Sequence, residues 1–438
     1  MARSISADVS NAGTMFDLSA LAPAGWTFQS ASAINAWAQV AGSGMHNGNS
    51  EAFLVTLHPD WQGGNGSWSD ASRWNFTGMG SFGIAPGAPH DVLINPAGSA
   101  TVYGPGEATI KSLAVSGNGS NLVTLNLNYG SIAAQNGASL GANGTLAGSG
   151  RLAGNLAVQG GGRVYVRDYE NMQLAGNVAN GGRIDAQANS GRANLEIGGA
   201  LSNAAGSQAN LLNADVFVHG GTSNSGRISI AGFSTVSGAV DNQLGGQVNV
   251  AGLDTQAIFW DNFRNNGSVT VTNGATATFF GLVNGTGNFL GGGAKEFAGG
   301  YSPGNSPALV NLSGPFAFTS GAVTMELGGT TPGSGHDKIV FDGPVTLSGA
   351  SLEVIYWNGW TAGAGQTYDL FDWNGGLTGS FSGVSLPTLG GGLLAWNTSQ
   401  LYTTGDISVT AVPEPGSYAM LLAGLGLIGA IARRRRTS

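Results

Sequence analysis

Segments that open on glycine and then alternate recur through the middle of the chain. GRVYV, GRIDA, GSQANL, GRISI, GQVNV, GSVTV and GNFL begin at Gly162, Gly182, Gly206, Gly226, Gly246, Gly267 and Gly287, spaced 20, 24, 20, 20, 21 and 20 residues apart. A fixed period near twenty constrains the fold strongly, because a unit that short buries its apolar face only by stacking on its neighbours. Val164 and Val166, Ile228 and Ile230, Val248 and Val250, and Val269 and Val271 fall on one face of a strand. Tyr165, Asp185, Ser229, Asn249 and Thr270 fall on the other and are expected to point outward. Twenty residues at about 3.3 Å each supply two or three short strands with their turns. Each strand then pairs in parallel with its counterpart one period away. The expected fold is all-β, a parallel β-helix of about 20 residues per coil.

Composition excludes the competing folds. Glycine fills 76 of 438 positions, too many for long helices, since an interior glycine costs about 1 kcal/mol relative to alanine. No three-residue period accompanies it, so the chain is not collagen. With 42% hydrophobic residues, disorder is disfavoured. Asn-Gly and Asn-x-Gly pairs at Asn180, Asn203, Asn224, Asn266 and Asn284 read as coil corners, where asparagine and glycine tolerate positive φ. The 24-residue unit, with alternation on Ala209 and Leu211, predicts a bulge or loop, and weaker units extend back to about residue 101.

Both ends of the repeat array differ from its middle. The start, MARSISADVSNAGTMFDLSALAPAG, lacks the basic-then-apolar order of a secretory signal peptide. Residues 30–57 carry Ile34-Asn35, Gln39-Val40-Ala41-Gly42 and Ala52-Phe53-Leu54. This pattern resembles one degenerate HAF repeat of bacterial extracellular proteins, with Ala38 and Glu51 standing where that family has glycine and histidine. Further repeats and a signal peptide are therefore expected upstream of this start. Trp61, Trp68 and Trp74 lie in a Gly- and Pro-rich stretch and are expected to cap the open end of the solenoid, a sugar-stacking platform being the alternative. From Tyr301 the register changes, through SPGNSP to longer strands such as Ser351 to Trp357. This portion resembles the closing segment of autotransporter passenger domains, which implies a sandwich-like or flattened C-terminal β cap. The expected divisions are a partial HAF-like region at 1–57, an N-terminal cap at 58–100, a solenoid at 101–300, a C-terminal cap at 301–410 and a tail at 411–438.

Chemistry is sparse in the body. The five histidines, His46, His58, His90, His219 and His336, stand apart and read as surface residues. PGSGHDKIV at Pro332–Val340 falls one residue short of the calcium-binding nonapeptide, which works through stacked copies. With a single copy, a turn is expected rather than a metal site. The densest charge is RVYVRDYEN, with Arg163, Arg167, Asp168 and Glu170, followed one coil later by Arg183 and Asp185. Arg163 and Arg183 share a repeat position, so a salt-bridge ladder is expected, with Asp168, Glu170 and Asp185 as counter-ions. The same three carboxylates are the candidates if the β-helix is a polysaccharide lyase or hydrolase, which needs paired acid and base groups. No catalytic residue, metal or cofactor is assigned, and the expectation is a non-enzyme. Cysteine is absent, which removes disulfides and thiolate sites.

The chain ends AVPEPGSYAMLLAGLGLIGAIARRRRTS. Four of the 16 basic residues are Arg433, Arg434, Arg435 and Arg436, leaving 12 basic against 24 acidic groups elsewhere. So acidic a body argues against nucleic acid as a partner. The run from Tyr418 to Ala432 is uncharged over fifteen residues, with Leu421, Leu422, Leu425, Leu427, Ile428 and Ile431 as its apolar members. It reads as one short transmembrane helix, below the ~20 residues that span a bilayer core. Gly424, Gly426 and Gly429 weaken a helix in water but are tolerated in lipid. Pro413, Glu414 and Pro415 stand just ahead of it. Motif, helix and basic cluster, in that order, resemble the PEP-CTERM sorting signal of Gram-negative bacteria.

That resemblance implies an exosortase as partner, a membrane enzyme that recognises Pro413-Glu414-Pro415. The precursor would sit in the inner membrane with its body outside and Arg433–Arg436 inside, then pass to the cell surface or matrix. The chain is thus expected to be an exported surface or matrix protein with exopolysaccharide as a further partner. An autotransporter-like adhesin is a third reading, opposed by the lack of amphipathic membrane strands after residue 410.

Overall fold

Alternating β-branched residues, two per strand, leave each short strand one apolar edge that only a stacked neighbour covers. The computed structural model describes residues 7–304, 307–412 and 415–435. It is all-β but for short 3-10 turns and one C-terminal helix. The chain divides into two units, Met1–Thr278 and Phe279–Ser438.

In the first unit, three parallel sheets wrap one solenoid. From Asp91 onward in this unit, strands in adjacent coils are 18 to 25 residues apart, as in Thr222↔Val240 and Arg183↔Gln208. The first sheet aligns Val164, Ile184, Ala209, Ile228, Val248 and Val269 as consecutive Cα partners, all buried. Glycine opens the units for a steric reason. A Cβ on Gly162, Gly182, Gly246 or Gly267 would meet a backbone oxygen of the preceding coil at 2.2–2.5 Å.

The 24-residue unit holds no bulge in this sheet. Gly206 turns with φ +83, and Ser207 takes the opening position, as the Arg227 amide donating to the Ser207 carbonyl shows. Ala209 and Leu211 therefore sit in ordinary register. The extra length is loop: residues 188–192 separate Arg183–Gln187 from Ala193–Ile197, whereas Asn213 alone separates the next pair of strands.

Three of the asparagines expected at corners, Asn180, Asn203 and Asn224, do something different, and Asn242 and Asn265 join them. Asn180, Asn203, Asn224, Asn242 and Asn265 are buried in the third sheet and stack as a ladder. Each Nδ2 donates to the next Oδ1, at 2.7, 2.7, 2.8 and 2.8 Å. The same amides donate to the carbonyls of Gln208, Arg227, Gln247 and Ser268. Asn180, Asn203 and Asn224 are strand residues without positive φ, which Asn128, Asn143 and Asn213 adopt instead. A buried amide is costly unless bonded, and the one-coil repeat supplies the same partner every time.

Before the coils, Trp26–Ile34, Gln39–His46 and Asn49–Thr56 form an antiparallel sheet holding the HAF-like residues. Phe28 and Phe53 stack across it at 3.9 Å. Gly42 is required there, since a Cβ would meet the Ser30 carbonyl at 2.0 Å. The three tryptophans are buried, which removes the sugar-platform alternative. Trp74 meets Trp61 and Trp68 edge-on, each at 5.0 Å, and its indole donates to the Trp68 carbonyl. Pro59–Trp61 pairs in parallel with Asp91–Ile94 and antiparallel with Trp74–Phe76, so an antiparallel strand closes the edge of the third sheet.

In the second unit, parallel coils continue well past residue 301. Leu309–Leu312 pairs with Lys338–Phe341, which pairs with Phe371–Trp373. Phe316–Phe318 pairs with Val345–Leu347, and Ala322–Leu327 with Ser351–Tyr356. Ser351–Tyr356 is a solenoid strand, so the C-terminal β cap begins later than expected. The antiparallel part is a three-stranded sheet of Thr367–Asp369, Asp406–Ala411 and Leu394–Asn397. Aromatic rings fill this core, with Phe289, Phe297, Phe316, Phe318 and Phe341 buried and Phe297 meeting Phe316 at 5.6 Å.

Candidate functional site

Three places carry chemistry: the arginine-rich coil face, the buried histidines with the Pro332–Val340 turn, and the tail. On the coil face, Arg163 and Arg183 are Cα partners in adjacent strands. Asp185 accepts from Arg163 Nε at 2.5 Å, Arg183 Nε at 2.7 Å and Asn210 Nδ2 at 2.8 Å. Although on an outward row, Asp185 is fully buried, because the two guanidiniums cover it. Arg163 also lies over the Tyr165 ring, 3.8 Å from its centroid. The other two carboxylates work elsewhere. Asp168 accepts the amides of Ser190 and Gly191 at 2.8 and 3.1 Å, and the Ser190 amide above all holds its carboxyl below the usual range. Glu170 accepts the Arg167 amide at 2.8 Å. Each carboxylate is thus held by a different set of donors, and two of the three organise loops.

Two histidines are buried, contrary to the surface reading. His90 accepts the Gly87 amide on Nδ1 at 2.8 Å, and its Nε2 faces the Trp37 carbonyl at 2.7 Å. Burial lowers its pKa, so the neutral ring donates from Nε2. His336 faces the carbonyls of Gly329 and Asp369 at 3.2 Å each, and burial likewise lowers its pKa. The adjacent Asp337 is buried and accepts the Ala308 and Glu326 amides at 2.7 and 2.8 Å. Burial pushes its carboxyl up to about 7. Pro332–Val340 is a turn into the strand Lys338–Phe341, pinned by that carboxyl. Among the described residues no group of three or more His, Asp or Glu side chains is placed to hold a metal. Sequence reasoning missed His90, His336 and Asp337 as buried groups, since each stands in a Gly- and Pro-rich turn with no repeat to flag burial.

At the tail, Pro415–Arg434 is a helix of 20 residues. Its apolar side chains are bare: Met420 is 77% exposed, and Leu421, Leu422, Leu425, Leu427, Ile428 and Ile431 range from 53% to 68%. Arg433 and Arg434 occupy its last turn, where cations complement the helix dipole. Pro413, Glu414 and Arg436 lie outside the described residues. Among the described residues no helix is long and apolar enough to cross a membrane. The expected transmembrane helix is corrected to that extent. Three glycines and the terminal arginines dilute an already short run.

A family model for the PEP-CTERM protein-sorting motif matches residues 411–436. The matched stretch takes in Pro413, Glu414 and Pro415, the helix, and Arg433 to Arg436, but neither the HAF-like residues nor the coils. No curated protein matches the chain. The chain therefore carries the mark of an exported protein sorted by exosortase, a membrane enzyme, on a β-solenoid body.

Proposed function

We propose that this is a non-enzymatic surface or extracellular-matrix protein whose solenoid serves the biofilm or envelope through contacts with polysaccharide. Its tail is a temporary handle removed by exosortase. The single observation that carries the reading is the match over residues 411–436, with an apolar, side-chain-exposed helix running into arginines. The precursor is held at the inner membrane, with Arg433 to Arg436 on the cytoplasmic side. Fifteen apolar residues make ~22 Å of helix, so the hold relies on arginine stems reaching outward and on local thinning. A handle that is discarded needs no deeper anchor.

The body offers repeated polar rows suited to many weak contacts, a reading by analogy of fold. The lyase or hydrolase alternative gains little from Asp168, Glu170 and Asp185, which serve separate structural donors. Fractionation tests the proposal. In cells with an exosortase the body is expected in the surface or matrix fraction, and without the enzyme it is expected to stay with the membrane. Turnover of an acidic glycan that disappears on substituting those three carboxylates would overturn the non-enzymatic part.

A further inference from the structure

The second sheet of the first unit carries an outward row that sorting does not use. Gln173, Glu196, Phe217 and Ser237 are consecutive Cα partners along it. Trp260 extends the row, its amide donating to the Val236 carbonyl just beyond the Val236↔Phe259 pair. Phe217 is 42% exposed and Trp260 48%. Strand steps of ~4.8 Å set these two rings roughly 9.6 Å apart along the stack. That matches the advance of two sugar rings in an extended β-linked chain.

Beside Phe217 lies a groove of about 320 Å³, lined among others by Gln173, Asn194, Glu196, Asp215 and Thr235. Its polar groups are already oriented. Glu196 accepts from Gln173 Nε2 at 3.1 Å and lies 2.9 Å from His219 Nε2, and the His219 ring is 4.0 Å from that of Phe217. Among the described residues no lysine or arginine lines the groove, whereas two carboxylates do. The neighbouring Arg192 is committed to Asp215 and to the Phe233 carbonyl. An anionic polymer meets repulsion there. Half-exposed aromatic side chains beside amide, hydroxyl and carboxylate edges suit a sugar instead, with an apolar C–H face and hydroxyl rim.

We propose that this strip binds a neutral β-linked polysaccharide laid along the coils. Phe217 and Trp260 stack on alternate sugar rings, while Gln173, Asn194 and Glu196 bond their hydroxyls. The proposal rests on reading the body as polysaccharide-associated. Its test is affinity electrophoresis of the full chain in mild detergent, through gels containing hydroxyethyl cellulose, laminarin, polygalacturonate or no glycan. Retardation is expected in at least one neutral β-glucan and not in polygalacturonate. Phe217→Ala and Trp260→Ala should each weaken it about tenfold, equivalent to ~1.4 kcal/mol, with circular dichroism unchanged because both side chains are exposed. Wild-type retardation that both variants retain would refute this strip while leaving the polysaccharide reading in place. Preferential retardation by polygalacturonate would refute the neutral ligand. A wild-type chain that none of the gels retards would refute the strip and the reading together.

Discussion

The coils and the tail solve the same problem, apolar side chains in water, in opposite ways. In the coils Val164, Val248 and Val269 are wholly buried by their neighbours one period away. In the tail Leu422, Leu427 and Ile428 are each more than three-fifths exposed. A repeat brings its own partner, so even polar groups go inside, as the asparagine ladder does. A helix whose apolar side chains are bare must find its partner elsewhere, and lipid is the environment that suits it. The contrast separates what folds the protein from what routes it, and substitutions can be chosen to attack either side.

The largest expected effect lies in the ladder. Asn224→Ala strips the Asn203 amide of one of its two acceptors and the Asn242 oxygen of its donor, both buried. Unpaired buried groups cost about 1–3 kcal/mol each, so the variant should unfold ~2–6 kcal/mol more easily in urea. Next comes a pH effect in the second unit. Asp337 holds its proton to about 7 in the fold, against an ordinary value of 3.8. Between those values unfolding releases a proton, so the contribution of Asp337 to stability should fall as pH rises from about 4 to 7 and level off above, while His90 and His336, whose pKa values burial lowers, contribute in the opposite sense. The difference in urea midpoint between wild type and Asp337→Asn across that range isolates the Asp337 slope. The smallest effect belongs to the tail. Leu427→Ser should leave unfolding of the body within ±0.5 kcal/mol of wild type, and a larger loss would mean that the helix helps hold the fold.

Much of the solenoid was legible because its period and its β-branched alternation carry the same message. Val164, Ile228, Val248 and Val269 fall inward as their spacing predicts. Asn180, Asn203 and Asn224 were misread because Asn-Gly looks locally like a turn, and only stacking reveals that each amide has an identical partner one coil away. Asp185 was read correctly as a counter-ion, but its burial depends on two arginines reaching from separate coils. The coils beyond residue 301 escaped because the period stretches: Leu309 pairs with Lys338, and Ile339 with Phe371, so loops of changing length erase the fixed spacing. Phe217 and Trp260 gave no sequence signal, since their row exists only once the coils are in register. The tail needed no tertiary context, and so its order of motif, apolar run and arginines could be read directly.

The central claim is that the tail is a removable routing signal, and the mass of the mature protein tests it most directly. The chain should be produced in a cell that has an exosortase, recovered from the surface or medium, and measured intact by mass spectrometry. A mature C-terminus near Pro413-Glu414-Pro415, lost when Glu414 is replaced by alanine, is the predicted result. Surface protein that still carries Arg433 to Arg436, in equal amount with and without Glu414, would contradict it.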